Sequence, residues 1–83
     1  MKTHQLKIKD IYWERLIEGE KNCEVRLNDR DYQKGDHIQF SVHSEDTNWC
    51  PTELFEITHV LYFPDGLKDG YVCLSLKKIN PQL

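Results

Sequence analysis

The stretch from Gly19 to Asp36, GEKNCEVRLNDRDYQKGD, decides the fold because the hydrophobic pattern changes within it. Before Gly19, apolar residues fall at helical spacing over residues 11–18, and a glycine is a natural helix stop in left-handed geometry. From residue 23 to 27, apolar and charged residues alternate, which predicts a strand with Glu24 and Arg26 on its outward face. Residues 28–36 are charged and rich in turn formers, so they predict a loop.

The same two-residue alternation predicts four further strands, at residues 4–8, 38–42, 53–63 and 71–76. In the third of these, Phe55, Ile57, His59 and Leu61 share one side. Asp10 stands where the N-cap of the helix is expected. The polar segment 44–52 predicts a surface loop.

Five antiparallel strands in so short a chain close most readily into a barrel, because closure removes exposed sheet edges. We therefore predict an α+β fold that is mainly β. It is a small, five-stranded, partly open β-barrel with one short helix after the first strand, and the helix plugs one mouth of the barrel.

The length of 83 residues holds a single domain, residues 1–83, and 39% hydrophobic residues are enough for a core. No apolar run approaches the roughly 20 residues of a membrane span, and no signal-peptide pattern is present. We expect a soluble, cytoplasmic protein with no membrane partner.

The charge balance of the chain limits its partners. Eleven basic against fourteen acidic residues give a net charge of -3, which makes duplex DNA an unfavourable partner. A small basic pocket remains compatible with that charge.

The cysteines and histidines show no metal-ligand spacing, so we expect no metal and no cofactor. Cys23 and Cys73 occupy strand positions among apolar residues and are predicted to be core thiols, whereas Cys50 is predicted to be exposed. Ser41 and His43 are strand neighbours, but no third group is in place to orient the histidine for catalysis.

The densest polar chemistry follows Gly19, where Lys21, Glu24 and Arg26 can line one small cleft beside the helix end. Lysine and arginine bind phosphate, and arginine also donates two hydrogen bonds at once to the acceptor edge of a base. A carboxylate can accept a hydrogen bond from a base amine. A second interpretation stays open. The three side chains can instead form a salt-bridge ladder on a solvated face, which contributes about 0–1 kcal/mol to stability.

Three other features add to this candidate site. Arg30 extends its positive rim, and Asp29 and Asp31 flank Arg30 and can clamp it while tying the loop together. Trp13 and Trp49 are candidates for stacking on single-stranded bases.

A larger set of residues matches one known family in order. The set is an opening strand at residues 3–8, Gly19, Lys21, Glu24 and Arg26 in the spacing G-x-K-x-x-E-x-R, the loop NDRDY at 28–32, and the ending GYV at 70–72. In these features the chain resembles an ASCH domain of the PUA-like superfamily, in its small single-domain bacterial and phage branch. The resemblance spans nearly the whole chain.

This resemblance implies a small β-barrel with the signature residues in a cleft between barrel and helix. It implies that RNA or a modified nucleotide binds there, through Lys21, Glu24, Arg26 and Arg30. Gly19 would serve the backbone geometry of the cleft.

The resemblance also leaves two alternatives. Some small members look like amidohydrolases that deacetylate N4-acetylcytidine with a lysine, a threonine and a glutamate. Lys21 matches that lysine, but Glu24 stands at the threonine position, so an enzyme here would rely on Lys21 and Glu24. The other alternative is a protein-interaction module that binds its partner through the loop carrying Trp49.

Overall fold

The computed structural model describes residues 1–79, so the last four residues of the predicted domain lie outside this range. In chain order the elements are β1 (Thr3–Lys9), α1 (Asp10–Glu18), β2 (Cys23–Leu27), β3 (His37–His43), β4 (Asn48–Trp49), β5 (Leu54–Tyr62) and β6 (Tyr71–Ile79). The mainly-β prediction with one short helix is confirmed. Within residues 1–79, no helix is both long enough and apolar enough to cross a membrane.

All strands belong to one curled sheet in the order β1-β3-β5-β6-β2, with β4 added on β3. The sheet forms a half-barrel that is open between its end strands β1 and β2. The structure has six strands, one more than predicted, because β4 is a two-residue strand inside the segment 44–52. β4 pairs through Trp49 with Val42 of β3, but two residues are too few to show an alternating pattern in the sequence.

The sequence predicts that all strands are antiparallel, but one pair of strands in the structure is parallel. β1 pairs with β3 in parallel, from Thr3 opposite His37 to Lys9 opposite His43. The long connection through α1 and β2 explains the difference, because it lets the chain re-enter the sheet from the same end.

The helix lies over the concave side of the sheet, where Trp13 reaches the core. Its ring meets Phe40 and Phe55 edge-to-face, with ring centroids 6.1 and 6.0 Å apart. Aromatic rings favour this arrangement because of the sign of their quadrupoles. The core consists of the inward-facing apolar residues of α1 and the sheet together with Tyr32: Leu6, Ile8, Trp13, Leu16, Tyr32, Ile38, Phe40, Val42, Phe55, Ile57, Val72, Leu74 and Leu76.

The two ends of the helix compare differently with prediction. Lys9 occupies the N-cap position without a side-chain cap, so the expected cap by Asp10 is wrong. Asp10 lies in the first turn and accepts a hydrogen bond from the Ile11 N–H at 2.8 Å. The predicted stop at Gly19 is confirmed, with φ 85° and an N–H donated to the Leu16 carbonyl.

A β-bulge divides β5 into two halves. Ile57 pairs with Leu76 but His59 pairs with Ser75, so one extra residue lies on β5 between them. An extra residue reverses which alternate side chains face inward. The prediction that His59 and Leu61 share one side with Phe55 and Ile57 is therefore wrong, and Leu61 is 42% exposed.

A buried hydrogen bond between two side chains connects the start of β1 to the residue before β3. His4 Nε2 lies 2.9 Å from Asp36 Oδ2, and the backbone N–H groups of Lys2 and Gln33 donate to the same carboxylate. The Tyr32 ring packs edge-on against His4. Burial raises the pKa of the Asp36 carboxyl, but hydrogen bonds from His4, Lys2 and Gln33 outweigh burial and leave that pKa below its usual value.

We expect Asp36→Asn to lower the free energy of unfolding by roughly 1–3 kcal/mol at neutral pH, because it weakens a buried, fully hydrogen-bonded carboxylate. A carboxyl whose pKa is lower in the folded than in the unfolded chain stabilises the fold at pH values above its unfolded pKa. This stabilisation is lost as the pH falls through the pKa of the folded state. The difference between variant and parent should therefore shrink as the pH falls through the lowered pKa of the Asp36 carboxyl.

Urea unfolding at neutral and acid pH measures both effects. Asp65→Asn, in an exposed turn, serves as the control and should cost little at either pH. A stability gap at Asp36 that does not change with pH would contradict the assigned role of its charge.

Candidate functional site

Side chains, not backbone pairs, connect the two ends of the sheet. Arg26 on β2 donates through Nη2 to the Lys7 carbonyl of β1 at 2.6 Å. Arg30, which follows β2, donates through Nη1 to the Gln5 carbonyl at 3.1 Å. We call the gap that these two arginines span, between β1 and β2, the seam.

The two faces of β2 are the reverse of those predicted. Glu24 lies opposite Leu74 and Arg26 opposite Val72, and both of these β6 residues face the core. Glu24 and Arg26 consequently face inward, while Val25 is 51% exposed. Alternation identifies two faces of a strand, but only the register with β6 decides which one is inside.

Lys21, Glu24 and Arg26 come together as predicted, although around a buried carboxylate and not on a solvated face. Glu24 is 7% exposed. Lys21 Nζ donates to Glu24 Oε1 and to the Cys23 carbonyl, and Arg26 Nε donates to Glu24 Oε2 at 2.9 Å. Both carboxylate oxygens therefore accept from cations, and both cationic side chains remain 24% exposed.

Three clefts lie along and beside the seam, and neighbouring clefts share lining residues. The first has a volume of about 320 Å³ and is lined by Gln5, Leu6, Lys7, Arg26, Leu27, Asp29, Arg30 and Tyr32. The central one, about 540 Å³, is lined by Lys7, Ile8, Lys9, Tyr12, Lys21, Cys23, Glu24, Val25 and Arg26. The third, about 310 Å³, is lined by Leu16, Ile17, Gly19, Lys21, Asn22, Phe55, Leu76, Lys77 and Lys78.

The charges along these clefts are strongly one-sided. We define the basic groove as the three clefts together, with the cations Lys7, Lys9, Lys21, Arg26, Arg30, Lys77 and Lys78. These are seven of the eleven basic residues of the chain. Among residues 1–79, which include all fourteen acidic residues, only the acidic side chains of Glu24 and Asp29 line the groove. A chain of net charge -3 thus carries a concentrated positive surface.

Two tyrosines border the groove in different ways. The Tyr12 ring, on α1, is 47% exposed at the central cleft and can present a flat apolar surface. Tyr32 is buried at the first cleft. Burial raises the pKa of its phenol, and Arg26 and Arg30 offset only part of this effect, so Tyr32 stays protonated at neutral pH.

A family model described as a domain of unknown function, DUF3850, matches residues 3–76. The chain belongs to this family. A comparison with curated proteins finds none that matches it. The matched range includes the whole seam and the basic groove except for Lys77 and Lys78.

The loop after β2 differs in one respect from prediction. Asp29 and Asp31 do not clamp Arg30, since neither forms an ion pair with it among residues 1–79. Arg30 reaches across to Gln5 instead. Asp31 adopts φ 50° and accepts from the Gln33 side chain at 3.0 Å, so it shapes the loop as expected.

The two tryptophans that are candidates for base stacking differ in exposure in the DUF3850 structure. Trp13 is 5% exposed and belongs to the core, so it is not available to bases. Trp49 is half exposed and packs edge-on against Trp13, with ring centroids 6.1 Å apart.

The structure brings Ser41 and His43 together but supplies no third catalytic group. Ser41 Oγ lies 3.0 Å from His43 Nε2, but no carboxylate within residues 1–79 forms an ion pair with that histidine. The same range holds no cluster of three or more residues suited to a metal ion.

Cysteine placement corrects another expectation. Cys23 is exposed, because the inverted faces of β2 turn it outward, and Cys73 is half-buried on the same outer face. The prediction of core thiols is therefore wrong for Cys23, and the half-buried Cys73 is not part of the core either. Cys50 is exposed, as predicted.

Sequence reasoning missed five of the residues that line the groove, namely Lys7, Lys9, Tyr12, Lys77 and Lys78. Lys7 and Lys9 alternate with buried residues of β1, which does signal that they point outward. Nothing local indicates that the end strand β1 lies beside β2.

We expect Arg26→Ala to lower the free energy of unfolding by about 2–4 kcal/mol, because it leaves Glu24 buried with one cation and releases β1 from β2. Arg30→Ala removes only an exposed hydrogen bond and should cost less than about 1 kcal/mol. Urea unfolding of both variants measures the difference.

Adding Glu24→Gln to Arg26→Ala provides the control. Removal of the uncompensated charge should recover part of the stability, as in a double-mutant cycle. Additive effects of the two substitutions would show that Glu24 and Arg26 are not coupled.

Proposed function

We propose that this chain is an ASCH-type, PUA-like domain whose basic groove binds single-stranded RNA, including RNA that carries a modified nucleotide. The observation that carries the proposal is the concentration of seven of eleven basic residues, with two of fourteen acidic ones, along three adjoining clefts. The resemblance of the signature residues to ASCH domains supports the same conclusion.

The cations suit a polyanion better than one small anion. Lys7, Lys9, Lys77 and Lys78 are exposed, so their ammonium groups are available to phosphates. Lys7 and Lys9 line the central cleft, whereas Lys77 and Lys78 line the adjoining third cleft, so a chain of phosphates can meet them in succession. Neutralising backbone phosphates releases condensed counterions, which is the main source of affinity in such complexes.

Tyr12 supplies the second element of single-strand recognition. Its exposed ring lies beside Lys7 and Lys9 in the central cleft. Unpaired bases stack on aromatic side chains, and such stacking tolerates any base sequence. A duplex keeps its bases stacked on one another, so this interaction favours single strands.

The hydrogen bonds of Glu24 support binding over amide hydrolysis. A catalytic carboxylate must reach the proton that it moves. Both oxygens of Glu24 already accept from Lys21 and Arg26, and the side chain is 8% exposed. Lys21 likewise donates to Glu24 and to the Cys23 carbonyl. This pair is better suited to holding the seam than to attacking a substrate.

We expect the double variant Lys7→Gln/Lys9→Gln to weaken binding of a short, mixed-sequence single-stranded RNA about tenfold or more at low salt. Fluorescence anisotropy with labelled RNA measures the affinity across a salt series. The slope of log affinity against log salt should become shallower by about 0.7 for each phosphate that the variant no longer neutralises.

The matched control is Lys34→Gln/Lys68→Gln, which removes the same charge from exposed positions outside the groove. It should change the affinity less than about twofold. Equally weakened binding in both double variants, or no binding by the parent, would contradict the proposal. Release of cytidine from N4-acetylcytidine, absent in Lys21→Ala, would favour the hydrolase instead.

Tyr12→Ala tests the stacking interaction separately. A base stacked on an aromatic ring contributes about 1–3 kcal/mol, so affinity should fall at least about fivefold, with the salt slope unchanged. Tyr12→Phe keeps the ring and should bind like the parent. If both substitutions weaken binding equally, the hydroxyl and not the ring makes the interaction.

A further inference from the structure

Cys23 and Cys73 lie next to each other on the outer face of neighbouring strands. Cys23 is opposite Ser75, and Cys73 is opposite Val25, so the two cysteines are diagonal neighbours across β2 and β6. They share the outer face because Glu24 and Leu74, one position along each strand, face the core. They are far apart in the sequence. Cys23 borders the central cleft, but neither cysteine is among the cations or the aromatic ring that the proposed RNA binding uses.

The two thiols interact in this arrangement. Burial is the main factor that raises the pKa of Cys73, and the Cys23 thiol beside it raises that pKa further. The positive charge of Lys21 opposes both effects, and Lys21 also donates to the Cys23 carbonyl. An exposed thiol therefore has a half-buried second thiol and an ammonium group close to it.

We propose that Cys23 and Cys73 form a peroxide-sensitive dithiol that closes into an intramolecular disulfide. The exposed Cys23 sulfur attacks hydrogen peroxide as the thiolate. The O–O bond breaks, one oxygen stays on sulfur as a sulfenic acid, and the other leaves as water after taking a proton. The Cys73 sulfur then attacks the sulfenic sulfur, the S–S bond forms, and the S–O oxygen leaves as a second water. Two thiols and one peroxide give one disulfide and two waters.

The position of β2 at the end of the sheet makes this closure possible. Diagonal neighbours have Cα atoms about 7–8 Å apart, whereas a disulfide needs about 4.4–6.8 Å. One strand must therefore move slightly toward the other. β2 pairs with a strand on one side only, and on the other side it is held by the side chains of Arg26 and Arg30, so it is the strand that can shift.

The test uses the full chain with Cys50→Ser, which removes the third thiol and leaves the pair. After one equivalent of hydrogen peroxide, we expect the intact chain to decrease in mass by two hydrogen atoms and to remain monomeric. Proteolysis should yield one cross-linked peptide that joins Cys23 to Cys73. Adding Cys73→Ser should instead leave a sulfenic acid on Cys23 that dimedone traps.

Equilibration of the Cys50→Ser chain with glutathione tests whether the fold brings the thiols together. The effective concentration of the dithiol should be at least about tenfold higher in the folded chain than in concentrated urea. Equal values in both states would overturn the proposal. So would over-oxidation of Cys23 with Cys73 left as a free thiol, or a disulfide between two chains.

Discussion

The guanidinium group of Arg26 makes the interaction on which the rest of the structure depends. It donates to Glu24 on its own strand and to the Lys7 carbonyl on the opposite end of the sheet. An open sheet leaves unpaired edges on its end strands, and such edges pair with other chains unless they are protected. Here a side chain takes the place of the backbone ladder that would complete the barrel. Because a side chain keeps two strands farther apart than direct pairing does, the space between them becomes the first and central clefts of the basic groove.

The buried carboxylate of Glu24 follows from the same arrangement. A charge inside a protein is tolerated only when it is paired and hydrogen-bonded. Gly19, with φ 85°, reverses the chain at the helix end, so that Lys21 returns over β2 and meets Glu24. The spacing G-x-K-x-x-E-x-R thus builds the seam. Its residues stabilise the site, and the more exposed side chains around it, such as Lys9, are better placed to touch a ligand.

Much of the fold was predictable because it depends on local patterns. The helix stop at Gly19 and the alternation in β1, β3 and β6 needed no knowledge of neighbours. The inward face of β2 was not predictable, because alternation distinguishes Val25 from Glu24 but does not say which one is buried. That choice is made by pairing with β6, far along the chain. The Asp36–His4 pair was missed for the same reason, since 32 residues separate its members.

The candidate site was only partly predictable because its cations come from separate parts of the chain. β1, the segment after α1, β2, the following loop and the end of β6 each contribute. No sequence window contains them together, and the net charge of -3 points away from nucleic acid. The negative net charge nevertheless makes the contrast between the groove and the rest of the molecule larger. Twelve of the fourteen acidic residues do not line the three clefts, so the positive charge of residues 1–79 is concentrated along the groove. In the proposed complex, such a charge distribution would restrict where an RNA strand binds without requiring any contact to a base.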